Sequence, residues 1–448
     1  MDIQGKNVLV FGSGISGEAA AGLLAGHGAC VILYDGNEKL DKEGIAKRVP
    51  EGTQIILGGF PQEILDSLSL VVMSPGVPTD LPVVEQMHEK AIPVWGEIEL
   101  AYTYGKGDVL AITGTNGKTT TTTLLGEIMK EASDSVFVVG NIGTPYTGIA
   151  SETSEDSVIV AEISSFQLET VRSFRPKVSA ILNITPDHLN RHHTMEAYIG
   201  AKERIAENQT AEDYCVLNYE DEVLRQFGET VKAQVLYFSS RRKLNRGVYL
   251  DGDRIICNID GETEICRTGD LQILGTHNYE NVMAAVAMAC AYGVPADIIR
   301  RVITSFKGVE HRIEFVAEKN GVAYYNDSKG TNPDAAIRGI RAMNRPTVLI
   351  GGGYDKDSSY EEWIDAFDGK VKKLVLIGAT REKIAETARK KGFTDIVLAD
   401  SFEEAFEKCT EYAEPGDAVL LSPACASWGM FKNYEERGDK FKELVEQL

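Results

Sequence analysis

Thirteen residues limit what this chain can become: Ala111-Ile-Thr-Gly-Thr-Asn-Gly-Lys-Thr-Thr-Thr-Thr-Thr123. The apolar run at 109–112 predicts a buried strand, which breaks at Gly114 and Gly117. Leu124, Leu125, Ile128 and Met129 then recur at helical spacing. Strand, glycine loop and helix in that order build an anion cradle. Glycines let backbone amides close on phosphate oxygens, and the helix N-terminus adds a partial positive charge. Lys118 can reach the β/γ-phosphates, and the Thr119 hydroxyl can ligate Mg²⁺. Walker A spacing wants a glycine five positions before Gly117, where this chain has Ile112. The motif is the shorter Gly114-x-x-Gly117-Lys118-Thr119. Its strand–helix context points to a nucleoside triphosphate, against the plainer reading of a glycine turn with a chance Lys-Thr.

A second glycine loop lies upstream. Residues 6–11 predict a strand, Gly12-Ser-Gly-Ile-Ser-Gly17 opens a helix from Ser16 to about His27, and a strand at 30–34 ends at Asp35. An acid 18 residues after the last glycine is close to dinucleotide-binding spacing. The loop can bind NAD, hold another diphosphate, or only pack a helix on a strand. A strand at 69–73 ends in Ser74-Pro-Gly-Val-Pro78, and Ile92-Pro-Val-Trp-Gly96 reads as the exit from this first unit. Further strands are predicted at 136–139, 158–161 and 178–182, then a helix from about Met195 to Asn208. Short strands with a hairpin near Asp251-Gly252 fill 233–275, and helices follow at 277–292 and 296–305. From Val309 on, strands at 322–325, 347–350, 374–377, 396–398 and 418–421 alternate with helical stretches. Such alternation predicts parallel sheets with right-handed crossovers. The expected fold is α/β in three domains. Residues 1–95 and 309–448 are Rossmann-like, and residues 96–308 form a P-loop-type ATP-binding domain, consistent with a length of 448 residues.

Composition narrows the function classes. A net charge of −21 disfavours nucleic acid, whose binding needs clustered Lys and Arg. No apolar run approaches the roughly 20 residues of a membrane span, so no membrane insertion is expected. The stretch Met1-Asp-Ile-Gln-Gly-Lys6 runs straight into a strand, so no signal peptide is expected. The seven cysteines are scattered without a Cys-x-x-Cys pair, which reads as reduced thiols in a cytoplasmic protein. A monomer is expected.

Polar groups gather just past strand ends, where open α/β sheets bind ligands. Glu162 opens Glu-Ile-Ser-Ser-Phe-Gln-Leu-Glu169 and can face a metal–phosphate complex, or be a solvated loop acid. His188, in Pro186-Asp-His-Leu-Asn-Arg-His-His193, can ligate metal or be structural. Lys202, 14 residues on, reads as an ordinary helical lysine. Asn278 and Asn281 share a helix face and can cap the helix or bind adenine, ribose or phosphate. Arg312 can grip a phosphate bidentately or form a surface ion pair. Asn326-Asp-Ser-Lys-Gly-Thr-Asn-Pro333, Gly351-Gly-Gly-Tyr-Asp-Lys356 and Ser422-Pro-Ala-Cys-Ala-Ser427 each follow a strand and should share one sheet edge.

Taken together these motifs resemble the Mur ligases, the ATP-dependent amide-forming enzymes of peptidoglycan precursor synthesis, over essentially the whole chain. Gly114-Thr-Asn-Gly-Lys-Thr119 is similar to that family's short ATP loop. The 162–169 motif, together with 422–427, Lys432-Asn-Tyr434 and Arg437-Gly438, resembles the D-glutamate-adding branch. The resemblance implies that the first glycine loop holds a UDP-sugar and not NAD, so that an NAD-dependent oxidoreductase becomes the weak alternative. Ile15, Ser16, Asp35, Ser74, Gly76 and Asn141 would contact UDP-N-acetylmuramoyl-L-alanine. Gly114, Thr115, Asn116, Gly117, Lys118, Thr119 and Thr120 would hold ATP, with Asn278, Asn281, Arg312, Asp327 and Lys329. Two Mg²⁺ ions would be served by Thr119, Glu162, His188 and Lys202. The resemblance reverses the reading of Lys202, which matches a family lysine carbamylated by CO₂; a carbamate is an oxygen ligand suited to Mg²⁺. Lys118, Glu162, His188 and Lys202 would be catalytic. Thr331, Lys356, Ser427 and Tyr434, where the family often has Phe, would grip D-glutamate.

Overall fold

The computed structural model describes residues 1–356 and 358–448. Its contacts divide the chain into two compact units, one of Met1–Cys266 with Glu280–Val302, the other of Arg267–Tyr279 with Ile303–Leu448.

The first unit carries two sheets. The N-terminal one contains β1 (Asn7–Phe11), β2 (Cys30–Asp35), β3 (Gln54–Leu57), β4 (Leu68–Met73) and β5 (Val94–Gly96) in the order β3-β2-β1-β4-β5. All four pairings are parallel. Alternate residues feed opposite faces, as a pleated strand dictates. Val8, Val10, Val31 and Leu33 enter one core, and Leu9, Phe11, Ile32 and Tyr34 the other.

The second sheet contains β6 (Asp108–Thr113), β7 (Val136–Gly140), β8 (Val158–Glu162), β9 (Val178–Ile181), β10 (Tyr214–Asn218), β11 (Gln234–Ser239), β12 (Gly247–Asp251), β13 (Arg254–Asn258) and β14 (Glu262–Arg267). Their order is β14-β13-β12-β11-β10-β9-β6-β8-β7. Pairing is parallel from β7 to β12 and antiparallel at β12–β13, the expected hairpin. β6 lies between β8 and β9, so the loops after β6, β8 and β9 leave side by side. Leu110, Ala111 and Ile112 on β6 are fully buried, as a strand covered on both faces requires. The following helix, Lys118–Ala132, buries Leu124, Leu125, Ile128 and Met129, the face its spacing predicts.

The second unit carries β15 (Glu314–Lys319), β16 (Val322–Asn326), β17 (Thr347–Gly352), β18 (Val371–Ile377), β19 (Ile396–Leu398) and β20 (Ala418–Leu421), ordered β15-β16-β20-β17-β18-β19. Two departures from the sequence reading appear. β15 is an antiparallel edge strand where parallel pairing is expected throughout. Its cause is the turn Asn320-Gly321, with φ of 54° and 78°, the two-residue geometry that fits strand twist. The helix expected to reach Asn208 ends at Glu203 and tightens into a 3₁₀ turn, Arg204–Ala206. No helix among the described residues is long and apolar enough to cross a membrane.

Candidate active site

The phosphate loop has the backbone its glycines permit. Gly114 has φ +148° and Gly117 φ +86°, conformations that L side chains rarely adopt. A Cβ on Gly117 would lie 2.2 Å from Asn281 Oδ1, and one on Gly114 would lie 3.0 Å from Leu182 Cβ. The loop is held by groups past the end of β9. Asn116 N donates to Asn183 Oδ1 at 2.8 Å, and Asn183 Nδ2 returns a bond to Asn116 O at 3.1 Å. Thr115 Oγ1 meets Tyr198 Oη at 3.0 Å. Asn183 and Tyr198 escape sequence reasoning as loop supports. The signal for Asn183 was its place just beyond a strand end; Tyr198 gave none.

Two lysines converge on one carbonyl. Lys118 Nζ donates to Gly114 O at 2.9 Å and Thr115 O at 3.0 Å, and Lys202 Nζ donates to the same Gly114 O at 2.8 Å. Lys202 is 2% exposed and its ammonium lies 4.7 Å from the centre of the Tyr198 ring. Burial, with help from the Lys118 charge, pushes its pKa down to about 7, against an opposing pull from Asp187. Glu162, at the end of β8, is also 2% exposed. Its Oε1 accepts from Asn141 Nδ2 at 2.9 Å, while Oε2 is buried with no hydrogen-bond partner. A buried carboxylate oxygen in that position calls for a cation. Thr119 is half-buried and Thr120 buried on the first turn of the helix.

His188 stands at the head of the short helix Leu189–His192. It is half exposed, has φ +52°, and its Nε2 lies 3.5 Å from Asp187 Oδ2. Among the described residues, the trio of His, Cys or acid groups that converges is Glu310, His311 and Asp439 in the second unit, where the Lys442 ammonium already pairs with both acids. Glu162 and His188 are not joined in such a trio.

The N-terminal loop is tightly built. Ideal Cβ atoms would meet Ser74 at 2.8 Å from Gly12 and the Gly12 carbonyl at 1.9 Å from Gly17. Asp35 Oδ2 accepts from Ser13 N at 3.0 Å and Ser13 Oγ at 2.7 Å, and Oδ1 accepts from Asn37 N at 3.0 Å. Burial works upward on this carboxyl, but those three bonds outweigh it and hold it below the usual range. Asp35 thus braces the glycine loop. Ser74 Oγ donates to Gly12 O at 3.3 Å, Ile15 is 74% exposed, Ser16 is half-buried and Gly76 is exposed. Arg191 ties this sheet's loops to the central ones, bonding Val77 O at 3.0 Å and Glu169 Oε2 at 2.7 Å. Both charged residues lie within motifs singled out above, without a role assigned there.

In the second unit the three polar loops do share one sheet edge, because β20 inserts between β16 and β17. Asp327 N donates to Leu421 O at 2.7 Å, Gly352 N to Pro423 O at 2.8 Å, and Ser422 Oγ to Asp327 Oδ2 at 2.7 Å. Burial pushes the Asp327 carboxyl up to about 7, opposed by the Ser422 bond and by Arg312. Arg312 Nε is itself buried without a partner. Arg437, 1% exposed, stitches two loops: Nε donates to Ser328 Oγ at 2.9 Å, Nη2 to Ser328 O at 2.7 Å and Nη1 to Cys425 O at 3.2 Å. Lys329 sits 5.4 Å from the Tyr434 ring centre, and the exposed Lys356 sits 4.9 Å from that of Trp428. Ser427 is buried and Thr331 half-buried. Asn278 Nδ2 donates to Leu274 O at 2.8 Å.

Residues 6–96 match the model of the Mur ligase MurD-like N-terminal domain, 112–289 that of the Mur ligase middle domain, and 311–425 that of the Mur ligase glutamate ligase domain. The chain is 60% identical to the UDP-N-acetylmuramoylalanine–D-glutamate ligase of Lachnoclostridium phytofermentans, across 100% of this chain and 99% of the relative. It is 46% identical to the enzyme of the same name from Clostridioides difficile, over 100% of both. Among solved structures, UDP-N-acetylmuramate-alanine ligase MurC from Thermotoga maritima superposes with a TM-score of 0.59 at 19% identity, covering 99% of each chain. A UDP-N-acetylmuramoylalanyl-D-glutamyl-2,6-diaminopimelate–D-alanyl-D-alanyl ligase from Acinetobacter baumannii gives 0.61 at 18%, covering 98% of this chain and 93% of that one. The structural likenesses speak for the fold.

Proposed function

Because the chain belongs to the Mur ligase family, we propose that it is an ATP-dependent ligase that adds D-glutamate to UDP-N-acetylmuramoyl-L-alanine. This is a step of peptidoglycan precursor synthesis, which we place in the cytoplasm. The observation that carries the reading is full-length identity of 46–60% to ligases of that name. The family reading displaces NAD at the first glycine loop. Domain limits at 95/96 and 308/309 are supported by one matched span that ends at 96 and another that begins at 311.

Joining a carboxylate to an amine in water is uphill, so the acid must be activated. The L-alanyl carboxylate attacks the γ-phosphorus of ATP, the bond to the β-phosphate oxygen breaks, and ADP leaves. The D-glutamate amine then attacks the acyl phosphate, and phosphate departs from the tetrahedral adduct as the amine proton is lost. Every reactant is an anion, so fixed positive charge is the main requirement of the first step. Lys118 and the amides of 114–119 supply it on the first unit. On the second unit, Arg312, Asp327, Lys329, Thr331, Lys356, Ser427 and Tyr434 are the candidates for nucleotide and D-glutamate contacts.

The buried, unpartnered Glu162 Oε2 fits a divalent cation. Thr119, Glu162, His188 and Lys202 would hold Mg²⁺, which supplies charge neutralisation at phosphate oxygens. The low basicity of Lys202 supports its carbamylation, since only the neutral amine adds CO₂. The first-unit loops carrying Ile15, Ser16, Ser74, Gly76 and Asn141 are the candidates for the UDP-sugar. Phosphate release measured over a panel of amino acids with UDP-N-acetylmuramoyl-L-alanine tests the reading. Turnover should require ATP and D-glutamate together. Equal turnover with L-glutamate or a diamino acid sinks it.

A further inference from the structure

The first unit contains a pair of thiols that the ligase reading does not use. Cys257 lies on β13 and Cys290 on the helix Thr276–Tyr292. Their Sγ atoms are 3.4 Å apart in one S–H···S contact. Cys257 is buried and Cys290 half-buried. A disulfide needs about 2.05 Å, so closure asks the sulfurs to approach by roughly 1.4 Å. In a pair this close, when one sulfur ionises the other's S–H donates to it, which favours a single thiolate. That contact holds the Cys257 thiol below its ordinary range, while the same contact and burial raise Cys290. Other thiols have different surroundings. Cys425 contacts Tyr360 Oη at 3.2 Å and Thr380 Oγ1 at 3.3 Å, Cys409 is wholly buried, and Cys30 is exposed.

The helix gives the pair a consequence. Asn281, nine residues before Cys290 on it, leaves a Cβ on Gly117 only 2.2 Å from its Oδ1. The helix is thus a stiff link of about 14 Å between the thiols and the phosphate loop. We propose that Cys257 and Cys290 form a redox-closable dithiol, whose disulfide draws this helix toward β13 and weakens nucleotide binding at the loop. The oxidant is a peroxide. The Cys257 thiolate attacks one peroxide oxygen, the O–O bond breaks, and the departing hydroxide takes up the proton the thiol lost. The Cys290 sulfur then attacks the sulfenic sulfur. An S–S bond forms, the S–O bond breaks, and hydroxide leaves with the Cys290 proton as water. Two thiols lose two electrons, and one hydrogen peroxide becomes two waters.

The effect on nucleotide rests on the ATP-binding reading of this loop; the cross-link does not. The full chain is treated with hydrogen peroxide under native conditions, alkylated, digested and mapped by mass spectrometry. In parallel, the KM for ATP is measured before oxidation, after it, and after dithiothreitol. The expected result is a Cys257–Cys290 cross-linked peptide and a several-fold rise in KM that dithiothreitol reverses. Neither should appear in Cys257→Ser or in Cys290→Ser, and both variants should keep basal activity. If both thiols of the wild type stay alkylatable, or pair with other cysteines, the proposal is overturned. A mapped cross-link that leaves KM unchanged overturns its coupling to the loop.

Discussion

Lys202 is a lysine that burial has made into an amine. It lies against the Tyr198 ring, shares the Gly114 carbonyl with Lys118, and loses its proton near neutral pH because water is excluded and a second cation stands by. None of that is written in its sequence neighbourhood, which is an ordinary helix; the resemblance flagged it, and the tertiary contacts give the physical cause. Replacing it should remove a functional group and leave the fold, since the helix Met195–Glu203 also anchors through Tyr198 and Ala201. Lys202→Ala is expected to lower turnover by about 10²-fold, the scale of losing a metal-site group. Formate or acetate should restore part of it by standing in for the carbamate oxygens. Wild-type turnover in Lys202→Ala would remove the carbamate from the mechanism.

At the scale of elements, the strand–loop–helix around Gly117 shows why the shortened glycine motif still makes a cradle. β6 is buried on both sides, so its direction is fixed. The helix begins at Lys118, immediately after the left-handed Gly117. Gly117→Ala should be costly on two counts: about 1–3 kcal/mol for a non-glycine residue at positive φ, and displacement of Asn281 from its close contact. The expected outcome is a lower melting temperature, loss of the thermal stabilisation that ATP gives, and at least a tenfold fall in turnover. ATP stabilising the variant as strongly as the wild type would show that the loop tolerates the change. This element was legible because glycine spacing and helical periodicity are local signals. The β15–β16 hairpin is just as local, with Asn320-Gly321 between apolar runs, but the strand–helix alternation that dominates the region points to parallel pairing instead.

For the whole molecule, strand order decides which distant segments become neighbours. Asp327 and Ser422 are 95 residues apart and share a hydrogen bond because β20 returns between β16 and β17. That burial also makes Asp327 a contributor to the stability of its unit. Its carboxyl titrates at about 7 when folded, against 3.8 for an exposed aspartate. Between those values the folded chain keeps a proton that the unfolded chain releases. Stability should therefore fall as pH rises from about 4 to about 7, by a few kcal/mol at most. Above about 7 the loss is complete and the contribution is flat. Urea titrations of the wild type and Asp327→Asn across this range measure it as a difference. A difference independent of pH would mean that the carboxyl does not carry its proton into the fold. The sequence alone determined the α/β class, the two glycine loops, the strand ends where polar groups collect and the family, because each is a matter of local spacing and residue type. The tertiary structure decided that Glu162 keeps a bare buried oxygen, that Lys202 and Lys118 compete for one carbonyl, that Asp35 braces its own loop, and that two thiols meet. Those depend on desolvation and on contacts between residues far apart in the chain, which no local pattern encodes.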